Sequence, residues 1–182
     1  MAKQFERLAL AHRAFIDAQH IFFVATAADN GRVNLSPKGM NSLRVLDENR
    51  IPWRNSTGSG NETAGHLLRN NRMTLMWCAF DDQPLILRCY GAARTIHRSA
   101  ADWDACNAAF PADIGARQFY EMTIDMVQTS CGYGVPRMAY EQERPDADAW
   151  SDAKGVDGIR TYWDETNRST IDGFPTGIEA NL

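Results

Sequence analysis

The chain has 182 residues, a net charge of −4, 44% hydrophobic and 23% charged residues. That length suits one full domain and is short for two, and the composition excludes a disordered or fibrous chain. No apolar run reaches the ~20 residues that cross a bilayer, and the first fifteen residues lack the apolar centre of a secretory signal. A cytoplasmic protein with no membrane partner is expected.

In chain order, Phe5, Leu8, His12, Phe15 and Ile16 recur at helical spacing and predict an N-terminal helix over 3–18. The period then changes. Ile21 to Ala27 is a β-branched and aromatic run, Asp29-Asn30-Gly31 signals a tight turn, and Val33 to Ser36 reads as the returning strand, stopped by Pro37 and Gly39. Leu43 to Asp47 and Arg50 to Asn55 suggest a second hairpin, with Pro52 marking an edge or bulge. A polar loop, Ser56 to Asn61, leads into a short helix over 62–70 that Ser59 or Asn61 could cap.

Met73 to Phe80 and Leu85 to His97 are strong strand patterns joined by the turn Asp81-Asp82-Gln83-Pro84. Ser99 and Asp102 resemble a capping box opening a helix that ends before Pro111. Met122 to Thr129 gives the last strand, followed by irregular Cys131 to Pro136, an acidic helical stretch broken at Gly155 and Gly158, and a loose tail after Asn167. Short strands in hairpin succession predict a mainly β fold, an antiparallel barrel with peripheral helices. Residues 1–140 form the barrel domain with its N-terminal helix. Residues 141–182 form an acidic arm with too few apolar residues for a core of its own.

Charge and cysteine usage narrow the function. The last 42 residues hold ten acidic and four basic side chains, so the arm supplies the acidity. Between Arg32 and Arg72 seven basic residues face three acidic ones, consistent with a solvated sheet face or a pocket for a small anion such as phosphate. A sequence pI near 5.5 argues against a nucleic-acid partner. Cys78, Cys89, Cys106 and Cys131 lack the spacing of a zinc knuckle or redox pair and read as free thiols, and the four histidines suggest no metal site.

Two segments carry chemistry. In Thr57-Gly58-Ser59-Gly60-Asn61-Glu62-Thr63 small residues let backbone approach a ligand, and Ser59, Asn61 and Thr63 could bond phosphate oxygens. It is neither a Walker loop nor a dinucleotide fingerprint, and alone it reads as a flexible connection. Asn34-Leu35-Ser36-Pro37-Lys38-Gly39 places a lysine beside a glycine at a strand exit, either a surface turn or an anion contact.

Together with Asn71 to Phe80, Leu87 to Gly91 and Val127 to Pro136, these segments resemble the pyridoxamine 5'-phosphate oxidase-like family of FMN-binding split barrels. The resemblance covers most of the chain and points to a branch without assigned substrates. It implies a six-stranded split barrel, an FMN cofactor and a homodimer with flavin sites between subunits. It places Asn34, Leu35, Ser36 and Lys38 along the flavin, Trp53, Arg54 and Asn55 against its ring or ribityl chain, and Ser59, Asn61 and Thr63 at its phosphate. The partner chain would contribute Gln128, Ser130, Cys131 and Tyr133.

The oxidase proper carries a basic pair where this chain reads Glu62 and Thr63, so the phosphate charge falls to Arg32, Lys38, Arg54 or Arg72 and to the following helix. The acidic tail also lacks the basic elements that recognise pyridoxal substrates. The expectation is therefore an FMN-dependent oxidoreductase acting on an unidentified small molecule, with a nicotinamide as a possible donor. The alternatives are a flavin- or haem-binding protein without turnover and a deazaflavin-dependent reductase. No catalytic residue is assigned. Tyr133 and His66 are candidate proton donors for which structural roles are favoured.

Overall fold

The computed structural model describes residues 2–182. Seven strands form one antiparallel sheet: β1 (Lys3–Phe5), β2 (Phe22–Thr26), β3 (Asn34–Lys38), β4 (Arg50–Ser56), β5 (Arg72–Cys78), β6 (Ile86–Ile96) and β7 (Ala116–Ser130). The order is β1-β7-β6-β5-β2-β3, and β4 also pairs with β7. At 15 residues β7 is far longer than an ordinary strand. One of its edges pairs with β6 along the whole of that strand. Its other edge is shared, with β4 on residues 116–123 and β1 on 127–129. That division splits the barrel, and it is the antiparallel split-barrel architecture that the strand pattern suggests.

Alternation accounts for the core. In β2 the side chains of Phe22, Val24 and Thr26 point inward while Phe23 and Ala25 are partly covered. Val24, Ile51, Trp53, Leu75, Trp77, Leu87 and Tyr120 fill the barrel at 1% exposure or less. A second cluster, Ile96, Trp103, Phe110, Ala116 and Phe119, packs beneath the short helix α3 (Trp103–Asn107). The bend of β6 against β7 sits at a register shift between Tyr90 and Gly91, where a β-carbon on Gly91 would collide with the Thr123 carbonyl.

Several local expectations change. Residues 3–5 are strand, because β7 offers them a partner, and the helix α1 spans only Leu10–Asp17. Residues 43–47 form no strand and make only a bridge at Leu43 and bonds such as Arg44 N to Pro52 O, 3.0 Å. The bend at 29–31 lies within a wider loop, 27–33, whose Arg32 N–H donates to Asp172, 2.7 Å. Asp102 immediately precedes α3 but caps nothing, since its carboxylate takes Arg94, 2.6 Å. The helix α2 (Glu62–Leu67) ends before residue 70 and has no side-chain cap.

The arm also departs from expectation. Helix α4 (Asp146–Thr166) breaks at Gly155, φ 65°, but Gly158 lies within it. The segment after Asn167 is folded: Ser169 bridges to Pro175, and Thr170, Thr176, Ile178 and Asn181 are buried. It needs few apolar residues because it uses polar partners on the barrel. Ile171 N–H donates to the Glu62 carboxylate at 3.1 Å, and Arg98 N–H donates to Asn181 Oδ1 at 2.6 Å. Among the described residues no helix is long and apolar enough to cross a membrane.

Candidate functional site

A cleft of about 430 Å³ opens where the end of β3, the end of β4 and the loop 57–61 converge, with Arg117 and Tyr120 of β7 at its base and Ala147 of α4 at its rim. Its size falls in the range of small-molecule sites. The pleat of β3 explains which of its residues arrive there. Asn34, Ser36 and Lys38 share the partly covered face, whereas Leu35 projects into solvent. Ser36 Oγ donates to Asn34 Oδ1 at 3.1 Å, and Asn34 Nδ2 donates to Thr63 Oγ1 at 3.3 Å, linking the strand to α2.

Of the expected site residues, Asn34, Ser36, Lys38, Arg54, Asn55, Ser59, Asn61 and Thr63 line this one cleft. The others lie elsewhere. Trp53 is fully buried in the core, with the Lys38 ammonium 5.5 Å above its ring. Arg32 pairs with Asp172, and Arg72 rests on Asn70 at the surface. Gln128, Ser130, Cys131 and Tyr133 sit at the far end of β7: Gln128 accepts from Tyr90, Ser130 from Arg88, and Cys131 and Tyr133 are exposed. His66 is buried with Nδ1 3.1 Å from Thr26 Oγ1, fastening α2 to β2 rather than facing the cleft.

The electrostatics single out Lys38. Arg54 Nε lies 3.3 Å from Asp113, which also accepts from Ser56 Oγ at 2.8 Å, so that cation is already matched. Among the described residues Lys38 has no carboxylate partner. Burial, reinforced by the nearby Arg117 guanidinium, pushes its pKa down to about 8. Burial also pushes Arg117 down to about 10 and drives the Tyr120 hydroxyl well above its ordinary value. The cleft is thus cationic at neutral pH.

The loop supplies unmatched donors. Among the described residues no protein acceptor pairs with the backbone N–H groups of 58–63. Asn61 is 2% exposed; its Oδ1 accepts from Gln118 at 2.8 Å and from Tyr120 at 3.3 Å, while its Nδ2 has no partner. A buried amide left unpaired in this way suits an acceptor-rich ligand. Glu62, whose charge would oppose an anion, turns its carboxylate to the Ile171 N–H instead.

Arg117, Gln118 and Tyr120 are the functional candidates missing from the sequence analysis. They precede Met122, where the last predicted strand begins, and the polar pair Arg117-Gln118 hid the rest of it. The signal available was Tyr120, which extends the two-residue alternation of Met122 and Ile124 toward the N-terminus.

Behind Pro37 to Met40 a second and more apolar cavity, about 740 Å³, is lined by Ile21, Phe80, Met138 and Tyr140, with Asp81, Glu143 and Asp146 also on its wall. The two cavities share residues 37–40 and Ala147. This pairing defines a split-barrel protein with a cationic, donor-rich cleft opening beside an apolar one.

The chain belongs to the pyridoxamine 5'-phosphate oxidase family, whose model, described as "Pyridoxamine 5'-phosphate oxidase", matches residues 8–131. Over 128 residues it is 38% identical to the pyridoxamine 5'-phosphate oxidase family protein ustO of Aspergillus flavus, covering 65% of this chain and 49% of that one. The chain therefore spans about half the length of that curated relative. Among solved structures, a putative pyridoxamine 5'-phosphate oxidase from Lactobacillus delbrueckii aligns with a TM-score of 0.55 at 18% identity, over 68% of this chain and 94% of that one. HupZ of Group A Streptococcus aligns with a TM-score of 0.53 at 18% identity, over 65% and 91%. At such identity these two similarities establish the fold.

Proposed function

We propose that this chain is an FMN-binding flavoprotein, an oxidoreductase acting on a small molecule, with the phosphate end of the cofactor in the cationic cleft. The observation that carries the reading is the convergence of Lys38, the unpartnered Asn61 amide and the free N–H groups of 58–63 on one space, whose one lining carboxylate, Glu62, accepts from the Ile171 N–H. A dianionic phosphate needs both charge and directed donors, and this set offers both. Asn34 and Ser36 would bond the ribityl hydroxyls, and the apolar cavity beyond Lys38 offers the surface that a flat ring requires. A bound flavin supplies the electron and hydride chemistry, while the protein supplies binding, orientation and field. Lys38 orients the anionic end, and Trp53 beneath it keeps its ammonium from sinking into the core.

The same reading includes a homodimer and a cytoplasmic location. Two features support the homodimer: β3 is a sheet edge whose flank exposes Val33 and Leu35, and Gln128, Ser130, Cys131 and Tyr133, which the family resemblance assigns to a partner's site, do not line their own chain's cleft.

The test is direct. Purified protein should show flavin absorption bands that bleach with a nicotinamide donor and recover in air; protein that takes up no FMN on titration refutes the proposal. One observation favours a second reading, a flavin carrier without turnover. Neither His66 nor Tyr133 lines the cleft, and of the lining cations that burial moves toward neutral pH, Lys38 comes down only to about 8 and Arg117 to about 10. Flavin that binds but never cycles would support that alternative.

A further inference from the structure

We propose that the C-terminal arm is part of the anion site: Asn167 is a positioning residue that, with Arg117, aims the main chain of the loop 58–61, so that anion binding and arm docking are coupled. Asn167 follows α4 directly, lies outside the segment matched by the family model, and is fully buried. Its Nδ2 donates to the carbonyls of Gly58 (3.1 Å) and Ser59 (3.4 Å), and its Oδ1 accepts from Arg117 Nη1. Arg117 in turn donates to the carbonyls of Gly58 (3.3 Å) and Gly60 (3.0 Å). Three consecutive carbonyls are thus held on one side of the loop.

Peptide planarity turns this into a statement about the other side. In a trans peptide the carbonyl of one residue and the N–H of the next point in opposite directions, and among the described residues there are no cis peptide bonds. Fixing the carbonyls of Gly58, Ser59 and Gly60 against Arg117 and Asn167 therefore turns the N–H groups of Ser59, Gly60 and Asn61 away from them. Those N–H groups have no protein acceptor, and their residues line the cleft. The buried Asn61 side chain, with its Nδ2 unpartnered in the same wall, independently marks where a ligand acceptor belongs. Glycine and serine let this loop adopt many shapes, so the aim comes from the arm rather than from the loop's own sequence.

The arm is tied to the barrel at a further point, Trp163 Nε1 donating to Thr57 Oγ1 at 2.9 Å, and within the arm Thr176 Oγ1 donates to the Asn167 carbonyl. Linkage then demands reciprocity: if a docked arm improves anion affinity, a bound anion must stabilise the docked arm.

The inference deepens the flavin reading and borrows from it only the choice of FMN as one probe; inorganic phosphate is the other. In the full-length wild-type chain, inorganic phosphate should slow amide exchange both in 57–63 and in 163–176. Asn167→Ala should weaken FMN about tenfold, the scale of one or two lost positioning hydrogen bonds, and leave affinity for riboflavin, which lacks the phosphate, unchanged. Asn167→Asp should behave similarly, because a carboxylate keeps Arg117 but cannot donate to the carbonyls. FMN affinity in both variants equal to that of wild type would overturn the inference and leave the flavin reading standing. So would parallel loss of FMN and riboflavin, the mark of a merely structural role. Phosphate binding that protects the arm in a protein with no affinity for FMN would uphold the inference and remove the flavin reading. If wild type binds neither probe, or binds phosphate without protecting the arm, the inference fails.

Discussion

Lys38 sits where an ammonium is poorly solvated, and its behaviour follows from that. In the free protein its pKa is about 8 against an ordinary 10.5, so the unfolded chain binds more protons between those values. This group therefore makes the apo-protein gain stability as pH rises from 8 toward 10.5, and at pH 7 its charge opposes folding. Lys38→Met should accordingly stabilise the apo-protein at pH 7, by up to about 3 kcal/mol, read by denaturant unfolding. The same change should weaken FMN about 10- to 100-fold, since a charge-assisted bond to phosphate is lost. A phosphate monoester is fully charged well below pH 8, so wild-type affinity should fall as pH rises through 8, whereas Lys38→Arg should flatten that profile. Fluorescence titrations from pH 7 to 10 check both. Lys38 was legible in the sequence as a cation at a strand exit. That it lacks a carboxylate, while Arg32 and Arg54 have Asp172 and Asp113, was not, because those partners lie 140 and 59 positions away.

At the scale of elements, the folded tail decides how α2 and the loop before it are held. Gly65 of α2 faces the tail so closely that a β-carbon would strike Thr170 Cγ2 and approach the Pro175 carbonyl to 3.2 Å. Gly65→Ala should lift the tail, lower the unfolding midpoint and expose residues 168–176 to protease while leaving the sheet intact; limited proteolysis followed by mass spectrometry checks this. Gly91→Ala acts on the sheet itself, where a β-carbon would drive β6 from β7 at the bulge. It should cost about 2–4 kcal/mol, the range for a forced overpacking with backbone shift, measurable by urea unfolding. The strands β2, β5 and β6 were readable because their apolar period closes locally. The first half of β7, the strand β1 and the tail were not, because each owes its conformation to a partner remote in sequence: Phe5 to Val127, Trp53 to Tyr120, Thr57 to Trp163.

For the whole molecule, the homodimer reading predicts a mass near twice 20.4 kDa by light scattering, with Leu35→Asp shifting the protein toward monomer; a flavin-loaded monomer of the wild type would contradict the reading. The sequence alone determined the antiparallel barrel, the strand exit ending in Lys38-Gly39 and the Ser/Gly loop, because hydrophobic period and turn chemistry are written in adjacent residues. Tertiary structure alone decided which of many candidate polar residues share one cleft, that Arg117 and Asn167 stand behind the loop, and that the Glu62 carboxylate accepts from the Ile171 N–H. Hydrogen-bond partnership and desolvation are properties of three-dimensional neighbourhoods, and a chain that brings residue 167 against residue 58 carries no local mark of having done so.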